Sequence, residues 1–330
     1  MKIGTVNFHK AQNYGALLQA YALRKWIINQ GAEACCVDYF PNYHANLYPH
    51  THRKTADFIN ECLPAKSIDE KYDLVIYGSD TIWKNHHGYG FDEVYWGDHT
   101  IRGERKITFS ASAVMGDFNA VSAKLFVNNL HNFNALAVRE DCLQEYIQRF
   151  TETNVYHTCD PTFLLSCSEW ANEAADNFID GEYGFIYNQQ YGPAIYDIAE
   201  TFSSKIEMPV YIISECGLLR EQCGRIIRKD IGPREFLSLF INSQYVLTPS
   251  FHGVAFALIF KKPFWTMMKS ASQRVESILR KTNLESRLIK HSSELDISSY
   301  ICYTSVHENL DKHISLSKGY LLASIERGFA

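Results

Sequence analysis

Tyr245-Val-Leu-Thr-Pro-Ser-Phe-His-Gly-Val-Ala-Phe-Ala-Leu-Ile-Phe-Lys-Lys-Pro-Phe264 reads as a short apolar strand, a turn carrying Ser250, Phe251, His252 and Gly253, and an apolar helix that stops before Pro263. In an open α/β sheet, ligands bind where the carboxyl end of a strand turns into the next helix. His252 stands at such a turn and is the first candidate for chemistry. A histidine that caps the helix, or is satisfied in the core, fits the local pattern equally well. Gly253 lets a backbone or a ligand come close.

Working outward, the same strand–helix alternation recurs on both sides. Tyr183–Tyr187 predicts a strand, 195–205 a helix, Pro209–Ile213 a strand, and 232–241 an amphipathic helix with Pro233 near its first turn. Beyond the opening stretch, Trp265–Met268 predicts a strand, and Ser272–Lys281 and 307–326 predict helices. The first half opens with a strand over 3–8, a helix over Ala16–Ile28 and a strand over Ala34–Phe40, a βαβ unit that implies a parallel sheet. After a polar stretch over 41–70 with one short helix come strands over Tyr72–Tyr77, Lys106–Ser110 and Ala135–Arg139. A small-residue turn (Ala111–Gly116) and a helix over 120–131 lie between the last two, and Val155–Leu165 closes this half. At 330 residues the chain exceeds one ordinary core, given ~100–200 residues per domain. The expectation is α/β: two Rossmann-like domains facing across a cleft, residues 1–166 and 167–330, the terminal helices in the second.

Hydrophobic content of 46% and charged content of 21% describe a globular protein, and the net charge of -5 argues against a nucleic-acid surface. The 9 cysteines lack zinc-site spacing and read as reduced, buried thiols of a cytoplasmic protein. Met1–His9 reads as a strand and polar loop, unlike a signal peptide, and no stretch approaches the ~20 apolar residues that a membrane span needs. There is no Gly-x-Gly-x-x-Gly run and no convincing metal cluster, so neither a tightly bound dinucleotide nor a metal is expected.

Several polar residues fall at strand ends. Asn13-Tyr14-Gly15 sits at a predicted helix N-terminus, where N–H groups and the helix dipole favour an anion, though an ordinary cap explains it as well. Asp80 reads as a ligand for a sugar hydroxyl or as a turn cap. The aromatics between His86 and His99 suit either a sugar ring or the core. Arg139, ending a buried strand, offers a planar fork for phosphate or carboxylate, or a salt bridge to a neighbouring acid.

Phe8-His9 with Asn13-Tyr14-Gly15-Ala16 and Gln19-Ala20-Tyr21-Ala22-Leu23, Gly78-Ser79-Asp80 with Ile82-Trp83, Arg139-Glu140 and Asp160-Pro161-Thr162 follow one another in the first half. Gly232-Pro233 with Glu235-Phe236-Leu237, Thr248 with Ser250-Phe251-His252-Gly253, Lys262-Pro263-Phe264, and Arg274 with Leu279, Leu284 and Arg287 continue the series. In this ordered set the chain resembles the polysaccharide pyruvyl transferase family. The resemblance implies a fold similar to GT-B glycosyltransferases. It also implies transfer of a pyruvyl group from phosphoenolpyruvate, a substrate and not a cofactor, to two hydroxyls of a saccharide, leaving a cyclic ketal and phosphate. The acceptor would be a polysaccharide or a lipid-linked precursor at the inner membrane face. His252 would be the catalytic residue, with Arg139, Asn13, Gly15, Ser250, Gly253 and Arg274 around the donor and His9, Asp80 and Trp83 around the acceptor. Family members with an Arg-Leu-His run place an arginine two residues before this histidine, where this chain has Ser250. A nucleotide-sugar glycosyltransferase and a non-catalytic saccharide-binding relative are the alternatives.

Overall fold

The computed structural model describes residues 1–41, 52–86, 89–114, 120–188, 195–214, 226–227, 231–267 and 272–326. Residues 42–51 of the expected polar stretch, His87 and Gly88, Met115 and Gly116 of the small-residue turn, Cys216, Cys223 and Met268 lie outside them. The chain forms two compact units, one of Met1–Thr51, Ala56–Leu165 and Asp311–Ala330, the other of His52–Thr55 and Ser166–Leu310.

In the first unit the elements run β1 (Lys2–Val6), α1 (Tyr14–Asn29), β2 (Glu33–Val37), α2 (Arg53–Cys62), β3 (Ala65–Lys66), β4 (Lys71–Tyr77), β5 (Arg102–Thr108), α3 (Ala120–Asn129), β6 (Leu136–Val138), α4 (Asp141–Ile147) and β7 (Val155–His157). The sheet order is β3-β2-β1-β4-β5, all parallel. Isolated parallel bridges Ile107↔Ala135 and Ala111↔Val138 join it to the parallel pair β6-β7. Leu74, Val75, Ile76 and Tyr77 are all fully buried. Such a continuous apolar run is what a strand covered on both faces requires. Gly78 follows at φ 115, and a Cβ there would lie 2.4 Å from Phe109 O, so only glycine lets β4 leave the sheet this way.

The second unit runs α5 (Cys167–Glu173), β8 (Gly184–Asn188), α6 (Ile195–Ile206), β9 (Val210–Ser214), β10 (Ile226–Ile227), α7 (Pro233–Asn242), β11 (Tyr245–Leu247), α8 (Phe251–Ile259), β12 (Phe264–Met267), α9 (Gln273–Thr282) and β13 (Leu288–Ile289). Its sheet is parallel in the order β10-β9-β8-β11-β12-β13. Both sheets therefore wind outward in two directions from their first strand, the Rossmann order, and this bears out the α/β, two-Rossmann expectation. The last helix, α10 (Tyr303–Glu326), starts in this unit and ends in the first.

That helix is where the expected domain division and the observed one differ. The division between the halves falls at Leu165–Ser166, beside the expected boundary, but Asp311–Ala330 belongs to the first unit. Tyr320 Oη donates to Thr108 O at 2.8 Å, Arg105 to Ser324 O at 2.6 Å, and Cys159 N to Ser317 Oγ at 2.8 Å. A linear reading of the chain carries no signal for such a return.

Candidate active site

In a doubly wound sheet the ligand crevice lies outside the carboxyl ends of the two strands from which the chain departs in opposite directions. Here these are β1 and β4 in the first unit and β8 and β11 in the second.

Past the end of β11 comes Thr248-Pro249-Ser250, and then α8, whose nine residues are all buried, with no acidic side chain in the first turn. Thr248 Oγ1 donates to Tyr187 O on β8 at 2.9 Å and accepts from Ser250 N at 3.1 Å, which ties the turn to the neighbouring strand. Gly253 packs on that threonine: a Cβ there would sit 2.1 Å from Thr248 Oγ1. Its glycine is demanded by this contact. Ser250 is the N-cap residue, yet its side chain makes no capping bond. Its Oγ is buried and has no hydrogen-bond partner among the described residues. His252 lies in the same turn, 4% exposed. First-turn N–H groups have no acceptor within a helix, and the dipole adds about half a positive charge at this end. An uncapped N-terminus free of carboxylates, with a buried hydroxyl and an imidazole beside it, suits a small anion that must be protonated. Arg274, half-buried, occupies the first turn of α9, which follows β12, the neighbour of β11.

At the first unit's switch point β1 runs into Asn7-Phe8-His9 and β4 into Gly78-Ser79-Asp80. His9 is fully buried; its Nδ1 donates to the carbonyl of Asn7 at 3.2 Å, and its Nε2 has no partner among the described residues. Burial pushes its pKa down to about 4, so the ring is neutral at physiological pH. Asn13 caps α1 by accepting from Ala16 N at 2.8 Å, which is the ordinary-cap reading, and Gly15 is buried in the first turn of that helix.

Arg139 has its guanidinium committed to acids. It reaches Asp160 at 2.7 Å, Glu140 at 3.2 Å and Asp80 at 3.6 Å, with its side chain 2% exposed. Burial alone would work against its charge, but Glu140, Asp160 and Asp80 together raise its pKa above the ordinary arginine value. Ser79 Oγ donates to Asp160 at 3.1 Å and Ser112 Oγ to Glu140 at 2.6 Å, so the cluster links four strand ends of the first unit. The salt-bridge reading of Arg139 describes this geometry, and a guanidinium so enclosed is a structural hub. Asp80 is its outermost acid, at 9% exposure, with a positive φ of 75 and Oδ1 accepting from Thr81 N at 2.8 Å. Trp83 departs from the acceptor role: it is fully buried, stacked on Trp96 at 5.0 Å, with Nε1 donating to Tyr95 O at 3.0 Å. Neither face of that indole is left for a sugar.

Among the predicted residues, the structure thus gathers Ser250, His252 and Gly253 in one turn, sets Asp80 beside Arg139, and strings His9, Asn13 and Gly15 along the β1–α1 connection. Asn7, directly after β1, is buried with no hydrogen-bond partner for its side chain among the described residues, and the sequence reading did not single it out. The signal for its position was there, since a polar residue directly after a buried parallel strand lies at the carboxyl end of the sheet.

A profile of the family described as polysaccharide pyruvyl transferase matches residues 13–268. The chain belongs to the polysaccharide pyruvyl transferase family. The matched span runs from the Asn13 cap through β12 and includes both the Arg139 cluster and the His252 turn. No curated protein matches the chain in sequence. Among solved structures, the chain is similar to a putative UDP-N-acetylglucosamine 2-epimerase from Listeria monocytogenes (TM-score 0.60, 10% identity, 98% of this chain and 95% of that one). It is also similar to the UDP-GlcNAc 2-epimerases of Neisseria meningitidis (0.55, 10%, 97% and 93%) and Methanocaldococcus jannaschii (0.55, 11%, 95% and 93%). At such identities these similarities speak for the GT-B-like fold alone. No helix among the described residues is long and apolar enough to cross a membrane.

Proposed function

We propose that this member of the family transfers a pyruvyl group from phosphoenolpyruvate to two hydroxyls of a saccharide, forming a ketal. The observation that carries the reading is the uncapped N-terminus of α8, with buried Ser250 Oγ and His252 in one turn at the second unit's switch point. Phosphoenolpyruvate is a small dianion or trianion whose methylene must be protonated before its C2 becomes electrophilic. Helix N–H groups and the Ser250 hydroxyl hold one anionic group, Arg274 supplies a cation, and His252 delivers the proton. Arg139 passes out of the donor set, because three carboxylates already occupy it. His9 and Asp80 remain on the acceptor side. A lipid-linked saccharide met at the cytoplasmic membrane surface fits this chemistry.

The competing donor is a nucleotide sugar, since the similar epimerases of Neisseria meningitidis and Methanocaldococcus jannaschii hold bound UDP-GlcNAc. Thermal-shift titration separates the two, because a ligand that binds only the folded state raises the melting temperature by mass action. Stabilisation by phosphoenolpyruvate and not by UDP-GlcNAc supports the proposal; the reverse order rejects it. A His252→Gln variant is expected to keep the phosphoenolpyruvate shift and lose at least about a hundredfold in phosphate release, the scale of general-acid catalysis. Phosphate release at the wild-type rate would remove His252 from the mechanism. Binding without turnover on any saccharide would favour the non-catalytic relative.

A further inference from the structure

Arg287 stands directly before β13 and is 2% exposed. Its guanidinium lies over the Trp265 ring at 5.3 Å, and Nη2 donates to Ser299 O at 2.9 Å. Among the described residues, Nε and Nη1 are buried with no hydrogen-bond partner, and no carboxylate pairs with the group. Arg139, by contrast, is enclosed by three acids. Arginine keeps its charge inside a fold. Arg287 is therefore a buried cation whose hydration has been replaced by one carbonyl and one aromatic face. A charge buried in this way is costly, and unsatisfied buried donors in a native chain call for an ion, a water or a function.

The guanidinium is closed by residues 296–300, which run between the buried side chains of Leu295 and Ile301. Asp296, Ile297, Ser298 and Tyr300 are exposed, Tyr300 to 87%. Asp296, whose charge reaches the guanidinium, turns its Oδ1 to Ser298 N and Oγ at 3.0 and 2.6 Å. Among the described residues, the bond from Arg287 to Ser299 is the single hydrogen bond that ties this stretch to the sheet. An exposed stretch held by one bond belongs to the low-stability end of a fold. The guanidinium is planar, and Nη2 shares one edge with Nε and the other with Nη1. A ligand that takes the place of Ser299 O thus meets an unpartnered nitrogen as well. A carbonyl oxygen uses one donor, whereas an oxyanion uses two and brings the missing charge. We propose that Arg287 is the cation of a second anion site, closed by residues 296–300 and opened by exchange of the Ser299 carbonyl for a small oxyanion.

The sheet separates this site from the α8 turn. Successive side chains of a strand point to opposite faces. On β8, Phe185 packs on Phe236 and Phe240 of α7, which in turn pack on Phe256 of α8. Ile186, the next residue, belongs to the cluster of Trp265 and Phe202 on the other face, where the Trp265 ring meets Phe202 of α6 at 6.3 Å. Arg287 lies over Trp265 and so on the face that α6 covers, away from α8. The inference stands without the pyruvyl-transfer reading, and its anion is not the one that reacts.

The test treats the full chain with phenylglyoxal, an arginine-selective reagent, and reads each arginine by mass spectrometry with and without inorganic phosphate. Hydrogen exchange over 295–301 is measured on the same samples. Arg287 is expected to react without added anion, through opening of 296–300, and saturating phosphate to slow that reaction at least about tenfold, the scale of a charge-assisted contact. Phosphate is expected to speed exchange over 296–300 in the wild type and not in Arg287→Gln, or in Arg287→Met should the first not fold. Ser250→Asp is expected to keep the protection of Arg287, because the α8 turn takes no part in it. An Arg287 that stays unmodified, with exchange over 296–300 unmoved by phosphate, means a permanently closed group and overturns the proposal. Modification that phosphate does not slow means that water alone satisfies the guanidinium and overturns it as well. Protection that disappears in Ser250→Asp assigns the phosphate to the α8 turn and overturns it too.

Discussion

At the scale of single residues, Ser250 makes a prediction that separates function from folding, and His9 makes one about stability. Ser250→Asp places a carboxylate where the N-cap has no side-chain bond. Aspartate is a strong N-cap and complements the dipole, so the variant is expected to melt no lower than wild type. The same charge repels an anionic donor, and phosphoenolpyruvate affinity is expected to fall by about 2 kcal/mol, the scale of a charge-assisted contact. Calorimetry and thermal melts on one preparation check both halves. His9 predicts a pH dependence of stability. Its pKa is about 4 in the fold against 6.5 for the ordinary group, a consequence first of burial. Above pH 6.5 neither state takes up the proton and the full stability is present. As pH falls from 6.5 towards 4 the unfolded chain is protonated first, and the fold loses up to roughly 3 kcal/mol. Urea unfolding of wild type and His9→Gln across that window should show the wild-type loss absent from the variant. At this scale the sequence was partly legible. His252, Ser250 and His9 are readable because each follows an apolar strand, whereas the fate of Arg139 depends on Asp160, twenty-one positions away and joined to it only by folding.

At the scale of elements, the turn between β11 and α8 is the piece that positions Ser250 and His252. Thr248 fixes it to β8, and Gly253 lets the first turn of α8 lie against Thr248. Gly253→Ala is expected to cost about 1–3 kcal/mol, because the added carbon cannot fit without moving the turn. Thr248→Ala in the same chain removes Oγ1 and Cγ2 from the clash and should recover part of the loss. Equal instability of the single and double variants, measured by thermal unfolding, would show that the two residues do not act on each other. The strand–helix alternation was legible from periodicity in the longer elements, since buried parallel strands read as short apolar runs. Short edge strands such as Ile226–Ile227 and Leu288–Ile289 were not, because two residues carry no period. The helices Asp141–Ile147 and Cys167–Glu173 escaped because seven residues, two turns, carry a weak period, although Ser166 with Glu169 forms a capping box that marks the start of the second.

Across the whole molecule, the family, the α/β class and the two Rossmann-like units were readable, because the βα repeat and the ordered motifs span most of the chain. The return of Asp311–Ala330 to the first unit was not, since Tyr320 and Ser317 find Thr108 and Cys159 only in the folded chain. Ending the chain after Leu310 is therefore expected to make the first unit, not the second, the site of early proteolysis, which mass spectrometry of a limited digest would locate. The central claim is that the N-terminus of α8 holds the donor, and the most direct measurement is calorimetric titration of phosphoenolpyruvate into wild type and Ser250→Asp. The account predicts binding to the wild type, binding weakened at least about tenfold in an equally stable Ser250→Asp, and no competition by UDP-GlcNAc. Equal affinity in the two proteins, or a wild type that binds UDP-GlcNAc and ignores phosphoenolpyruvate, would contradict it.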